Sequence, residues 1–210
     1  MRSDLASDLL QLTGEHLILV LSAMAVAMLI GVPLGILLTR RAGLRRWLLG
    51  FASVMQTIPS LALFGFLLPL PWIGDRAARI AIAALTAYAL LPIVRNTHAG
   101  MQGVGQGMRQ AALALGLAPM DQLLLIELPL AAPAILAGIK TSAVIGVGTA
   151  TIAAFIGAGG YGERIAQGLA LNDNATLLAG AIPAAVLALI IQGAFELIER
   201  FALPALRARA

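Results

Sequence analysis

The chain has 210 residues, 60% hydrophobic and only 11% charged, with a formal net charge of +4 at pH 7. Soluble domains carry about 25% charged residues, so these few charges cannot clothe a water-exposed surface of this size; the mean hydropathy of +0.94 agrees. This excludes a soluble globular domain. The arginines sit in short loops between apolar runs, which argues against a nucleic-acid binder, and the absence of cysteine removes any disulfide framework or thiolate metal site.

The expected fold is all-α and polytopic. Five apolar runs are long enough to cross a bilayer, approximately 17–38, 48–70, 78–94, 130–156 and 175–195, against a requirement of roughly 17–25 residues. Residues 1–16 read as an extracytoplasmic segment, 17–196 as one transmembrane domain and 197–210 as a cytoplasmic tail. The first run is too long for the apolar region of a signal peptide, and Asp4, Asp8 and Glu15 precede it where a basic stretch would be needed, so it is expected to be retained.

In the second run, Pro59 removes a backbone hydrogen bond and bends the helix, and Gln56, Thr57 and Ser60 flank it. Freed carbonyls at membrane depth are tolerated where they face protein or a wet cavity. These four residues are candidates for a translocation path, with polar contacts between helices as the plainer reading. Trp47 and Trp72 bracket this run, where interfacial aromatics belong.

The longest inner loop, roughly 96–129, begins with Gly100, Gly103, Gly105 and Gly107 and continues as "QAALALGLAPMDQLLLIELP" from Gln110 to Pro129. Gly116 is placed to end one short helix and Pro119 to start a second. Two short helices this apolar need cover, from a partner surface or from the bundle itself. A helix lying on lipid would show Lys and Arg on its polar face, but the polar residues here are Gln110, Asp121, Gln122 and Glu127.

In the fourth run, Lys140 is expected near the inner interface, either snorkelling or touching an inner gate or the loop. Thr141, Ser142, Thr149 and Thr151 add polar points to that helix, though not all on one face. Lys140, Thr141 and Thr149 join the candidate path. After this run comes "IGAGGYG", which lacks the Lys-Ser/Thr of a phosphate loop and follows a membrane helix, so it is no nucleotide site. It reads as a sharp reversal, with "ERIAQGLAL" as a short surface helix after it.

Placing the N-terminus outside and the C-terminus inside puts ten of the 14 Lys and Arg residues on the inner side, as the positive-inside rule prefers. No His-Glu-x-x-His or Gly-x-Ser-x-Gly signature occurs. His16 and His98 are expected in loops, solvated, and no acid is expected inside a span, Glu196 lying at an end. A proton-coupled carrier commonly needs such an acid, so the energy source is expected outside this chain.

Ala111, Ala112, Gly116, Ile126, Leu128 and Pro129 resemble, at every position but the first, the E-A-A-x3-G-x9-I-x-L-P coupling loop of type I ABC importer permeases; Gln110 replaces the acid. The stretches "QTIPSLALFGFLLPL", "YALLPIVRNTHAGM" and "AGIKTSAVIGVGTATIAAFIGAGGYG" are similar to permeases of osmoprotectant importers for glycine betaine, carnitine and choline. The resemblance implies a five-helix core in a prokaryotic plasma (inner) membrane. It implies that Gln110, Ala111, Ala112, Gly116, Asp121, Ile126, Leu128 and Pro129 couple to cytoplasmic ABC ATPase subunits, and that an extracytoplasmic solute-binding protein docks at Gly157, Gly159, Gly160, Tyr161 and Gly162. A second permease copy or a related subunit completes the path within the membrane lipid. No cofactor, metal, nucleic acid or catalysis by this chain is implied. A permease for another solute such as methionine is the alternative; a stand-alone carrier or channel, or a scaffold without a path, is a different class.

Overall fold

The computed structural model describes residues 2–69 and 77–207, with backbone alone at 2–6, 42 and 202–207. Trp72 and Arg76 lie outside the described residues. The helices are α1 (Arg2–Arg40), α2 (Ala42–Thr57), α3 (Ser60–Leu67), α4 (Ala77–Gly103), α5 (Gln106–Ala114), α6 (Pro119–Gln122), α7 (Leu128–Ala150), α8 (Gly162–Leu171) and α9 (Asn174–Arg207). A π turn, Leu123–Glu127, joins α6 to α7, and a 3-10 turn, Ile152–Ile156, follows α7. No strand occurs among the described residues.

Four helices are long and apolar enough to cross a membrane: Ser7–Arg40, Ala77–Gly103, Pro119–Ala150 and Asn174–Phe201. The broken pair Gly43–Thr57 and Ser60–Leu67, bent by 102°, makes a fifth span if counted as one. Helices cover the first, third and fifth expected runs and extend past both ends of each, the broken pair occupies the second, and the rod Pro119–Ala150 begins before the fourth but gives way to the 3-10 turn short of its end. At 39 residues α1 is about 58 Å long, beyond the ~30 Å hydrocarbon core. The expected separate segment 1–16 is, from Arg2 onward, the first turns of α1. The expected inner loop 96–129 is shorter, because α4 runs on to Gly103 and the fourth rod begins at Pro119.

Helix α4 is the centre, packed between α1 and α7, with α9 against α7 and α8. Small residues make this closeness possible. A Cβ on Gly35 of α1 would lie 2.5 Å from Thr97 Cβ on α4, and one on Gly138 of α7 would lie 2.8 Å from the Pro92 carbonyl of α4. In lipid, where apolar burial drives little, such backbone approach supplies the packing that holds helices together. The main core gathers Leu19, Val20 and Ala27 of α1, Phe64 of α3, Ala81 and Ile93 of α4, and Val147 of α7. The large apolar residues left exposed, Leu29, Phe66, Leu189 and Phe201 among them, are consistent with a lipid or subunit boundary.

Ahead of α9, the Asp173 carboxylate accepts from the Thr176 hydroxyl and from the Ala175 N–H at 2.9 Å, capping the helix. Those bonds, the hydroxyl first, hold its pKa below the ordinary carboxylate value.

Both histidines depart from expectation. His16 is fully buried in α1, its Nε2 3.1 Å from the Val147 carbonyl and its ring 4.9 Å from that of Tyr161. His98 is buried in α4, with Nδ1 2.9 Å from Thr39 Oγ1. The polar flanks that suggested loops belong to helices extending past the apolar windows.

Candidate functional site

The break in the second span is local in cause. Pro59 has no N–H to give, and Ile58 before it is extended (φ −70°, ψ 126°), as a pre-proline residue prefers. The Ile58 carbonyl left over is taken by the Tyr88 hydroxyl of α4, and Gln56 Nε2 donates to the Tyr88 carbonyl at 3.2 Å. Around this clasp lies an open concavity of about 370 Å³, lined by Gln56, Thr57, Ile58, Pro59, Ser60, Tyr88, Ile145 and Thr149. Hydroxyls, an amide and carbons form its wall, with no charged side chain.

Five expected path residues are thus brought together: Gln56, Thr57, Pro59, Ser60 and Thr149. Two are not. Lys140 Nζ lies 3.0 Å from Glu199 Oε1 and ties α7 to α9, and Thr141 donates to the Ala137 carbonyl at 2.8 Å. Both sit more than one helical turn from Ile145 and outside the concavity. Glu199 answers the expected cost of Lys140 with a partner in place of snorkelling alone.

Beyond the C-terminal end of α4, the loop around Gly116 has the geometry its residues require. Gly116 adopts φ +73°. The Leu117 N–H reaches the Ala112 carbonyl at 3.1 Å and the Gly116 N–H the Leu113 carbonyl at 3.0 Å, the paired bonds of a Schellman stop. Pro119 then opens α6 at its first turn. The second short helix is not separate, because α6, the π turn and α7 form one rod. Gln110, Ala111, Gly116 and Asp121 are exposed, Ala112 is buried, and Ile126, Leu128 and Pro129 are half-buried. Leu113 and Leu115 stand 63% and 79% exposed, with Met120 and Leu124 also uncovered. An apolar surface of this kind at a helix turn calls for a partner.

Sequence reasoning missed what holds this surface. Glu127, at the end of the π turn, is 4% exposed, and its Oε2 accepts from Arg40 Nη2 at 3.1 Å. Its Oε1 faces Arg109 Nε at 3.1 Å, an ion pair whose angle is too poor for a directed hydrogen bond. Arg109 Nη2 also donates to the Met101 carbonyl at 2.7 Å. Glu127 and Glu199 lie outside the expected apolar runs 130–156 and 175–195, in the helical extensions beyond them. Glu127 lies in the rod Pro119–Ala150 and Glu199 in Asn174–Phe201, and each is held by a cation. The available signal was a lone acid in an apolar run. Tyr88, one of two tyrosines in the chain, likewise carries no local pattern that marks it as the partner of the Ile58 carbonyl.

The glycine loop after α7 turns inward. Gly157 is exposed, but Gly159, Gly160, Tyr161 and Gly162 are buried. Gly160 N–H donates to Glu15 Oε2 at 3.0 Å and Tyr161 Oη to Thr13 Oγ1 at 2.7 Å. Arg164 Nε donates to Asp8 Oδ2 at 3.0 Å. Of the five residues expected to meet a binding protein, Gly159, Gly160 and Tyr161 are therefore packed against the start of α1, and Gly162 against Thr151 and Ala154 at the end of α7. Gly157 alone of the set is exposed.

The sequence profile of the family described as binding-protein-dependent transport system inner membrane component matches residues 31–203. The choline transport system permease protein OpuBB of Bacillus subtilis (strain 168) is 41% identical over 198 residues, covering 94% of this chain and 90% of that protein. The glycine betaine/carnitine/choline transport system permease protein OpuCB of the same organism is 41% identical over 197 residues, covering 94% and 89%. A solved chain of the inward-facing MetNI methionine ABC transporter superposes with a TM-score of 0.86 at 23% identity over 100% of both chains, a likeness of fold.

Proposed function

The chain belongs to the family of binding-protein-dependent transport inner-membrane components, and from that premise we propose that it is the permease subunit of an ATP-driven importer for a quaternary-ammonium osmoprotectant such as glycine betaine, carnitine or choline. The observation that carries the substrate is the 41% identity, across 94% of the chain, to permeases named for those solutes. The 23% likeness to the methionine transporter speaks for the fold alone. The uncharged wall around Pro59 suits a zwitterion such as glycine betaine or carnitine, and Tyr88, which lines it, carries the kind of ring a quaternary ammonium favours.

In this reading the protein is a multi-pass inner-membrane component. It performs no catalysis; hydrolysis belongs to cytoplasmic ABC ATPase subunits. The surface of Leu113, Leu115 and Met120 around Gly116 is the ATPase contact, and a second copy or related permease closes the concavity at Pro59. A solute-binding protein delivers to the α8 end. ATP binding draws the coupling surfaces together and turns the path outward, and hydrolysis returns it.

The test is isotope uptake by the complete system in cells lacking other betaine importers, offered betaine, carnitine, choline and methionine separately. Uptake of at least one quaternary-ammonium solute is expected. Uptake of methionine with none of the other three would overturn the substrate while leaving the machine.

The proposed orientation puts the α1–α2 turn inside and the α8 end outside. The clustering of Arg40, Arg41, Arg45 and Arg46 at that turn supports it. The chain has no cysteine, so single cysteines at Gly43 and Ala170 report cleanly. An impermeant maleimide should label Ala170→Cys in intact spheroplasts and spare Gly43→Cys until lysis. The reverse pattern would invert the topology.

A further inference from the structure

We propose that Glu127 is a positioning residue that couples α5 to the spanning helices, so that movement imposed on the coupling surface is passed to α1 and α7 through one carboxylate. This rests on reading the α5 surface as the ATPase contact. The geometry is a three-way clamp. Glu127 stands where the π turn enters α7, Arg40 at the end of α1, and Arg109 in the middle of α5. Among the described residues of α5, only Arg109 makes a side-chain hydrogen bond or ion pair to a spanning helix. The other end of that link is Glu127, which also holds α1 through Arg40, 87 residues away in sequence.

Burial is unequal across the clamp. The Glu127 side chain is 5% exposed, Arg109 31% and Arg40 49%, so the anion is inside and both cations reach the rim. A cavity of about 380 Å³ lined by Thr39, Arg40, Met101, Arg109, Gln122 and Glu127 surrounds the carboxylate. The clamp is therefore not packed solid, and the arginines have room to pivot about the acid without breaking from it. The π turn widens the helix at this point, and such turns gather at functional positions. The asymmetry also gives a clean variant. Glu127→Gln keeps shape and polarity, removes the one buried charge, and leaves two cations that water can reach. Removing both arginines would strand a buried carboxylate and threaten the fold.

The experiment uses the assembled transporter in proteoliposomes with betaine as the solute, measuring ATPase retention, hydrolysis and uptake together. Glu127→Gln should retain the ATPase at the normal ratio and raise the ATP hydrolysed per solute imported by about tenfold or more, as expected for losing a buried charge pair. Glu127→Asp, which keeps the charge, should return most of the coupling; a structural filler would show no such preference for charge. An unchanged ratio with the ATPase bound overturns the proposal, and so does loss of the ATPase from Glu127→Gln, since Glu127 would then serve docking. Leu115→Asp separates the underlying reading. It should release the ATPase, and undiminished binding in that variant would overturn the α5 surface as the contact, whatever Glu127 does.

Discussion

Replacing Gly116 by valine should leave the chain inserted in the membrane, weaken ATPase binding and abolish solute uptake. Gly116 holds φ +73° at the Schellman stop that ends α5. A Cβ there would meet nothing within 4 Å, so the conflict is with the residue's own backbone and with no neighbour. That conformation costs an ordinary residue about 1–2 kcal/mol, and a β-branched side chain more. The relief is local, a turn that opens and swings α5, and the spans need not move. A contact surface that must hold a geometry fails when displaced by about 1 Å. Gly116→Ala should be milder, and Gly116→Asn milder again, because asparagine visits this region most readily. Co-purification of the ATPase and uptake are measured on each. Full binding and full uptake by Gly116→Val would show that the angle at this turn does not govern coupling.

Gly162→Ala should prevent accumulation of folded protein. Gly162 opens α8 directly beneath the end of α7, where a Cβ would come within 1.9 Å of the Thr151 carbonyl oxygen and 2.8 Å of Ala154 Cβ. The obstacle is backbone, which cannot rotate aside. Either α8 or the 3-10 turn must move, and each carries partners. Tyr161 Oη on Thr13, Gly160 N–H on Glu15 and Arg164 on Asp8 all fasten this loop to the start of α1. Overpacking against side chains costs about 1–3 kcal/mol, and against main chain the upper end or beyond is expected. Gly157→Ala is the control. Unlike Gly162 it has a positive φ, +76°, but its Cβ would touch nothing within 4 Å, so it meets conformational strain without a clash. Size-exclusion profiles of fluorescent fusions in mild detergent should show a monodisperse peak for Gly157→Ala and loss of it for Gly162→Ala. A normal peak for Gly162→Ala would mean that the α7–α8 reversal is far more pliable than its contacts indicate.

Local features were legible from consecutive residues. Hydropathy over a window is a property of consecutive residues, so the five runs and the helical class could be read directly. The breaks could be read too, because Pro59 lacks an N–H wherever it stands and Gly116 before Pro119 stops one helix and starts another by backbone rules alone. What hydropathy could not mark was where helices end outside the apolar windows, and so α1 absorbed His16 and α4 absorbed His98. The tertiary structure alone decided pairings and facing. Whether Glu127 stands free or between Arg40 and Arg109 depends on the phase of a π turn and on where two other elements return, which no local pattern encodes. Lys140 similarly found Glu199 on α9 and left the concavity to Gln56, Thr57, Pro59, Ser60 and Thr149. The glycine loop after α7 looked like exposed surface because glycine has no side chain to indicate a side. The extra length of α1, with Thr13, Glu15 and His16 over Gly159, Gly160 and Tyr161, and the end of α7 over Gly162 turned those residues inward. An apolar or small residue in a membrane protein satisfies lipid and protein neighbours alike, so which of them it meets is settled by packing and not by composition.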